Sequence, residues 1–75
     1  MEQEVKAIMS QILEIPIGEI NTATSMDSVD TWDSLRHMEI ISAIEQQFQI
    51  EFEAEEAMDM TNLGVIMRIL AAKKG

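Results

Sequence analysis

Apolar residues recur at Val5, Ile8, Met9, Ile12 and Leu13, a spacing of i, i+3, i+4, i+7 and i+8 that marks one face of a helix. The pattern predicts a first helix from Glu2 to Glu14, with Glu2 and Glu4 at its positive end. Pro16 pushes Ile15 out of helical geometry and Gly18 follows, so the helix stops there. From Ile15 to Asp33 the chain is rich in Thr, Ser, Asn and Asp, with apolar residues spaced singly. This is a long connection, of the kind that is usually functional in a compact domain. Ile17 and Ile20 are expected to point inward and pin it, and Trp32 to anchor it on the core. A second helix is predicted from Ser34 to Gln47, with Ile40, Ile41, Ile44 and Phe48 as its core stripe. Leu35 and Met38 fall at the edge of that stripe or outside it, leaving apolar surface close to Ser34.

Ile50-Glu51-Phe52 alternates like a strand, but three residues without a partner do not make a sheet. A short helix is expected over Glu53 to Asp59, with Ala54, Ala57 and Met58 facing in. A last helix is expected over Asn62 to Lys73, capped by Thr61. Its apolar residues from Leu63 to Leu70 spread around most of the circumference, which implies deep burial. Gly64 costs about 1 kcal/mol relative to Ala there and suits a close approach. Lys73 and Lys74 complement the negative helix end. The expected architecture is all-α: three main helices plus one short helix, with the long connection between the first two, in one domain over residues 1–75.

Composition narrows the function. The chain has 75 residues and a formal net charge of −9, with only five Lys and Arg. A nucleic-acid binder needs a basic stripe, so that class is excluded, and basic partner proteins are favoured instead. No apolar run approaches the roughly 18 residues that span a membrane, so membrane insertion is not expected. The acidic start Met1-Glu2-Gln3-Glu4 lacks the layout of a secretory signal. The absence of cysteine removes disulfides and thiolate metal sites and fits a cytoplasmic setting. A monomer is the default expectation.

The candidate chemistry centres on Thr31-Trp32-Asp33-Ser34-Leu35. A serine opening a helix is ordinarily a cap or an exposed polar residue. A phosphodiester on its hydroxyl would be favoured by the open N–H groups and the helix dipole. Ser34 and His37 lie three apart with Asp33 beside them, but nothing in so small a chain supplies an oxyanion hole or cleft, so a hydrolase is not expected. A lone histidine is a poor metal site. Asp27, Asp30 and Asp33 do not have calcium-loop spacing and read as a solvated face, with loose divalent-ion binding and a raised melting temperature as the associated expectation.

Asp33-Ser34-Leu35, opening a helix after a long connection in an acidic helical chain, resembles the acyl carrier proteins. Glu39-Ile40-Ile41, Ala43-Ile44-Glu45 and Phe48 are similar to that family's second helix. Glu51-Phe52 with Glu55-Glu56-Ala57 is similar to its third-helix region, and Thr61 with the apolar run after it to its fourth. The resemblance implies a carrier rather than an enzyme. It implies 4'-phosphopantetheine attached to Ser34 by a phosphopantetheinyl transferase, with Asp33 and Leu35 at the attachment site. The arm's thiol then holds acyl groups as thioesters for ligase, synthase or acyl-transferring enzymes with basic docking patches, in fatty-acid, lipid or secondary-metabolite biosynthesis. It also implies partner contacts along the second helix, here Arg36, His37, Met38, Glu39, Ser42 and Glu45, and a Met-rich interior able to repack around cargo, with seven Met in all.

The chain departs from the family pattern at Trp32, Arg36, His37 and Ser42. Arg36 and His37 replace the usual acidic or neutral residues, which suggests a specialised carrier whose partner they select. Two other readings stand beside this one. An aminoacyl or peptidyl carrier shares the modified serine but more often has glycines before it and less acidity. An acidic helical adaptor would carry nothing.

Overall fold

The structure, a computed structural model, describes residues 1–74. Four α-helices follow in order: α1 (Glu2–Leu13), α2 (Ser34–Phe48), α3 (Ala54–Asp59) and α4 (Leu63–Lys74), with a 3-10 turn at Ile17–Glu19. They form an all-helical bundle of 28 × 22 × 19 Å, with no strand among the described residues beyond one isolated bridge. The predicted apolar stripes meet in one core. Val5, Met9 and Leu13 come from α1, Ile40, Ile41 and Ile44 from α2, and Leu63, Ile66 and Leu70 from α4. Ile20, Trp32 and Met60 close it from the connecting segments.

Helices α1 and α2 end by one device. Glu14 (φ 60°) and Gln49 (φ 56°) turn into the left-handed region. The next amides, Ile15 N and Ile50 N, donate back to Ser10 O at 3.3 Å and Glu45 O at 3.1 Å. These six-to-one bonds satisfy carbonyls that the ended helix leaves open.

The long connection is tied to the start of α4. Leu63 N donates to Thr24 O (3.0 Å), Gly64 N to Thr22 O (3.2 Å), and Met26 N to Thr61 O (3.0 Å). A Cβ on Gly64 would lie 3.3 Å from Thr22 O, so the absence of a side chain permits this approach. Val65 N donates to Asn62 Oδ1 at 2.8 Å, making Asn62 the side-chain cap and not Thr61 as expected. The connection thereby satisfies amides that α4 cannot satisfy itself.

Several expected positions are corrected. Ile17 is 43 % exposed, because the 3-10 turn carries it outward, while Ile20 is buried. Met58 is 75 % exposed, and Met60 after the helix fills the core in its place. Ala54 is exposed and Ala57 half-buried. In α4, Val65, Met67 and Ile69 are only half-buried and pack at the margin of the core. Of the methionines, only Met9 and Met60 are buried, so the interior is chiefly Ile and Leu.

Helix α3 is joined to the rest by polar clasps. Glu53 and Glu56 form a reciprocal capping box at its start. Lys73 Nζ meets Glu56 at 2.8 Å. This hydrogen bond, with the one from Glu53 N, holds the Glu56 carboxyl below its ordinary range, and Glu56 in turn raises the Lys73 ammonium. The depressed acid contributes stability above the ordinary carboxylate range that is lost as pH falls through its folded value. The raised base contributes stability below the ordinary lysine range that is lost as pH rises through its folded value. The melting temperature of Glu56→Gln is therefore expected to lie below wild type at neutral pH and to converge on it in the acid carboxylate range. A gap independent of pH would show that the ion pair is not the cause.

Candidate functional site

The site is the start of α2. Asp33 is extended (φ −103°, ψ −175°) and its carboxylate accepts from Arg36 N, while His37 N makes the first helical bond to Asp33 O at 2.8 Å. Asp33 is thus the N-cap, with its Oδ1 2.9 Å from Arg36 N. Ser34, one residue on, is the first helical residue, and its side chain is free of capping duty. It is exposed, and its hydroxyl makes no hydrogen bond among the described residues. Its amide and that of Leu35 precede the first helical bond, so they face outward as open donors at the positive helix end.

The turn is braced from behind. Thr31 Oγ1 donates to Leu13 O at 2.7 Å, and Trp32 is buried, as expected for an anchor. Arg36 Nη1 reaches back to α1, donating to Ile12 O at 2.6 Å and Glu14 Oε2 at 3.0 Å. Ile12 O is a carbonyl that the end of α1 leaves open. His37 is buried, at 8 % exposure. Its Nδ1 lies 3.1 Å from Trp32 Nε1 and its Nε2 2.7 Å from Ala57 O. An indole N–H only donates and a carbonyl only accepts, so Nδ1 is the acceptor and Nε2 carries the proton.

These contacts correct the expectation that Arg36 and His37 are surface residues choosing a partner. Arg36 staples α1 to α2, and His37 is a core residue. The histidine was legible after all: it precedes Ile40, Ile41 and Ile44 at helical spacing and extends their stripe. Nothing in the sequence marks the Arg36 acceptors, because backbone carbonyls carry no signature. An Arg36→Asp, His37→Thr variant is consequently expected to lower the melting temperature, each lost charged or buried hydrogen bond costing roughly 1–3 kcal/mol. An unchanged melt would contradict both contacts. With both imidazole nitrogens occupied, His37 also cannot serve Ser34 as a base, which removes the hydrolase reading.

On the outer side of α2, Leu35 (70 % exposed) and Met38 (58 %) stand in the open. With Glu39, Ser42, Ala43 and Gln46 they line a shallow groove of about 380 Å³ that begins one residue after Ser34. Glu45 is half-buried, and its Oε2 accepts from Phe52 N at 2.8 Å, so one oxygen is committed to the segment before α3. A wider groove of about 540 Å³ lies on the connection but includes none of residues 33–46. Among the described residues, no three acids or histidines converge to hold a metal ion, so Asp27, Asp30 and Asp33 form no built site for a divalent cation. Among the described residues, no helix is long and apolar enough to cross a membrane.

The site as a whole is an exposed hydroxyl on a braced helix start, with a shallow groove beside it. Residues 3–70 match the family model described as "phosphopantetheine attachment site". The chain is 32% identical over 73 residues to an acyl carrier protein of Prochlorococcus marinus, covering 97% of this chain and 91% of the relative. It is 41% identical over 58 residues to an acyl carrier protein of Buchnera aphidicola, covering 76% and 72%. A polyketide-8 synthase acyl carrier protein of Streptomyces avermitilis is 34% identical over 62 residues, covering 83% and 74%. The chain belongs to the acyl carrier protein family. Its role is that of an acyl carrier with phosphopantetheine as its prosthetic group, and it is not itself an enzyme. Its partners are biosynthetic enzymes.

Proposed function

We propose that Ser34 is the residue that bears 4'-phosphopantetheine. The observation that carries this is the exposed Ser34 hydroxyl, without an internal partner, on a helix start whose cap is the neighbouring Asp33. The group fits here. Open amides at the helix N-terminus favour a phosphodiester, and the exposed position admits a modifying transferase. When bound, the prosthetic group supplies the thiol that this cysteine-free chain lacks, on which acyl groups are held as thioesters. Asp33 orients the serine by fixing the first turn.

Partner enzymes engage the outer groove of α2 through Leu35, Met38 and Ser42, with Glu39 as the free carboxylate for a basic patch. A net charge of −9 supports long-range attraction to such patches. Ser42 places a hydroxyl in the groove where the family more often has an apolar residue, and Arg36 and His37 make the start of α2 less acidic, which supports a carrier dedicated to one pathway. We read residues 1–75 as one domain, acting as a monomer in the cytoplasm.

The test is incubation with coenzyme A and a broad-specificity phosphopantetheinyl transferase, followed by intact mass and peptide mapping. The expected result is a single phosphopantetheine on the peptide containing Ser34. An adduct on another residue would overturn the assignment, and no adduct would favour a helical adaptor.

A further inference from the structure

Helix α3 is the least embedded element: none of its residues is buried. Three polar clasps hold it and the segment leading into it. Glu45 accepts from Phe52 N (2.8 Å), Glu56 meets Lys73 (2.8 Å), and His37 Nε2 donates to Ala57 O (2.7 Å). The ion pair lies where water competes. The third involves a buried ring, and that ring sits in the same helical turn as Ser34. Ala57 O is near the end of α3, where its only other bond is a longer one from Met60 N at 3.3 Å.

The imidazole has one workable arrangement. Trp32 Nε1 fixes Nδ1 as acceptor, and the two rings lie with centroids 6.0 Å apart. Moving the proton to Nδ1 would set N–H against N–H at Trp32 and leave Nε2 with no donor for Ala57 O, and turning the ring over would put carbon atoms at both places. Opening α3 would likewise break the 2.7 Å bond between Nε2 and Ala57 O. The histidine therefore transmits position in both directions between the turn that carries Ser34 and the end of α3.

We propose that His37 is a latch, a positioning residue that couples release of α3 to the turn bearing the attachment serine. Its link to carrier function rests on the reading of Ser34 given above. A partner that grips the start of α2 pulls on the bond that keeps α3 closed, and movement of α3 alters the support of the Ser34 turn.

Two substitutions separate the bonds. In His37→Asn, the amide oxygen takes the place of Nδ1 and keeps the acceptor for Trp32, but the side chain is too short for Ala57 O. In His37→Gln, the amide nitrogen reaches the place of Nε2 and keeps the donor to Ala57 O. The measurements are residue-resolved amide hydrogen exchange and the indole N–H resonance of Trp32, the only tryptophan. His37→Asn is expected to speed exchange at Ala57 and Met60 roughly tenfold while core amides of α1 and α4 keep their rates. His37→Gln is expected to restore protection of α3 and to shift the indole resonance instead. Wild-type exchange rates in α3 of His37→Asn would overturn the latch, as would equal acceleration throughout the bundle in both variants. Transferase treatment of the wild-type chain is run in parallel. Failure to form an adduct removes the link to carrier function, whereas the exchange data judge the latch alone.

Discussion

Ser34→Ala is expected to abolish attachment of phosphopantetheine and to leave the fold intact. On the proposed assignment the expected loss is complete, because alanine has no oxygen to take the bond to phosphorus. Other serines are present, but none opens a capped helix. The Ser10 hydroxyl donates to Ile15 O, those of Ser25 and Ser28 hydrogen-bond within the connection, and Ser42 lies mid-helix in the α2 groove. The fold survives because the hydroxyl supports nothing. Asp33 keeps the cap, and an exposed substitution of this kind lies within about 0.5 kcal/mol of neutral. The measurement is intact mass after transferase treatment beside a thermal melt of the same sample. A variant that still gains mass disproves the assignment. A variant that loses both mass gain and fold would show that the serine has a structural duty absent from the structure.

Trp32→Ala is expected to cost about 3–5 kcal/mol, the range for emptying a buried aromatic site. For a chain of 75 residues, total stability is roughly 4–11 kcal/mol, so this single change takes a large share of it. Two losses combine. The indole is 2 % exposed and closes the core from the connection, and its N–H is the partner that sets the tautomer of His37. Trp32→Phe separates them. It keeps most of the packing and removes the donor, for an expected loss of about 1–3 kcal/mol. Circular dichroism during denaturation measures both, and the order expected is wild type, then Phe, then Ala. If Trp32→Ala melted close to wild type, the connection would be anchored elsewhere and the support assigned to the Ser34 turn would be wrong.

The fold was legible to the extent that helices announce themselves through apolar spacing. The stripe Val5–Met9–Leu13 and the stripe Ile40–Ile41–Ile44 both face the core, and α1 and α2 end within a residue of their expected bounds. The head of α2 was legible because small polar residues before an apolar stripe mark a helix start. What went astray was the direction of side chains in short or irregular segments. Ile17 and Met58 carry the right chemistry for a core, yet a 3-10 turn and a two-turn helix set their directions by local geometry that spacing does not reveal.

The division has one physical root. The sequence by itself determined the helices, the acidic charge and the place of Ser34 at the head of α2, because apolar periodicity and capping chemistry act over neighbouring residues. Only the tertiary structure decided what the polar residues around that serine do. Arg36, His37 and Glu45 are spent on Ile12 O, Ala57 O and Phe52 N, backbone groups left open by helix ends and loops that packing brings within reach. Such groups exist in every chain. Which of them a given side chain meets depends on how the helices come together.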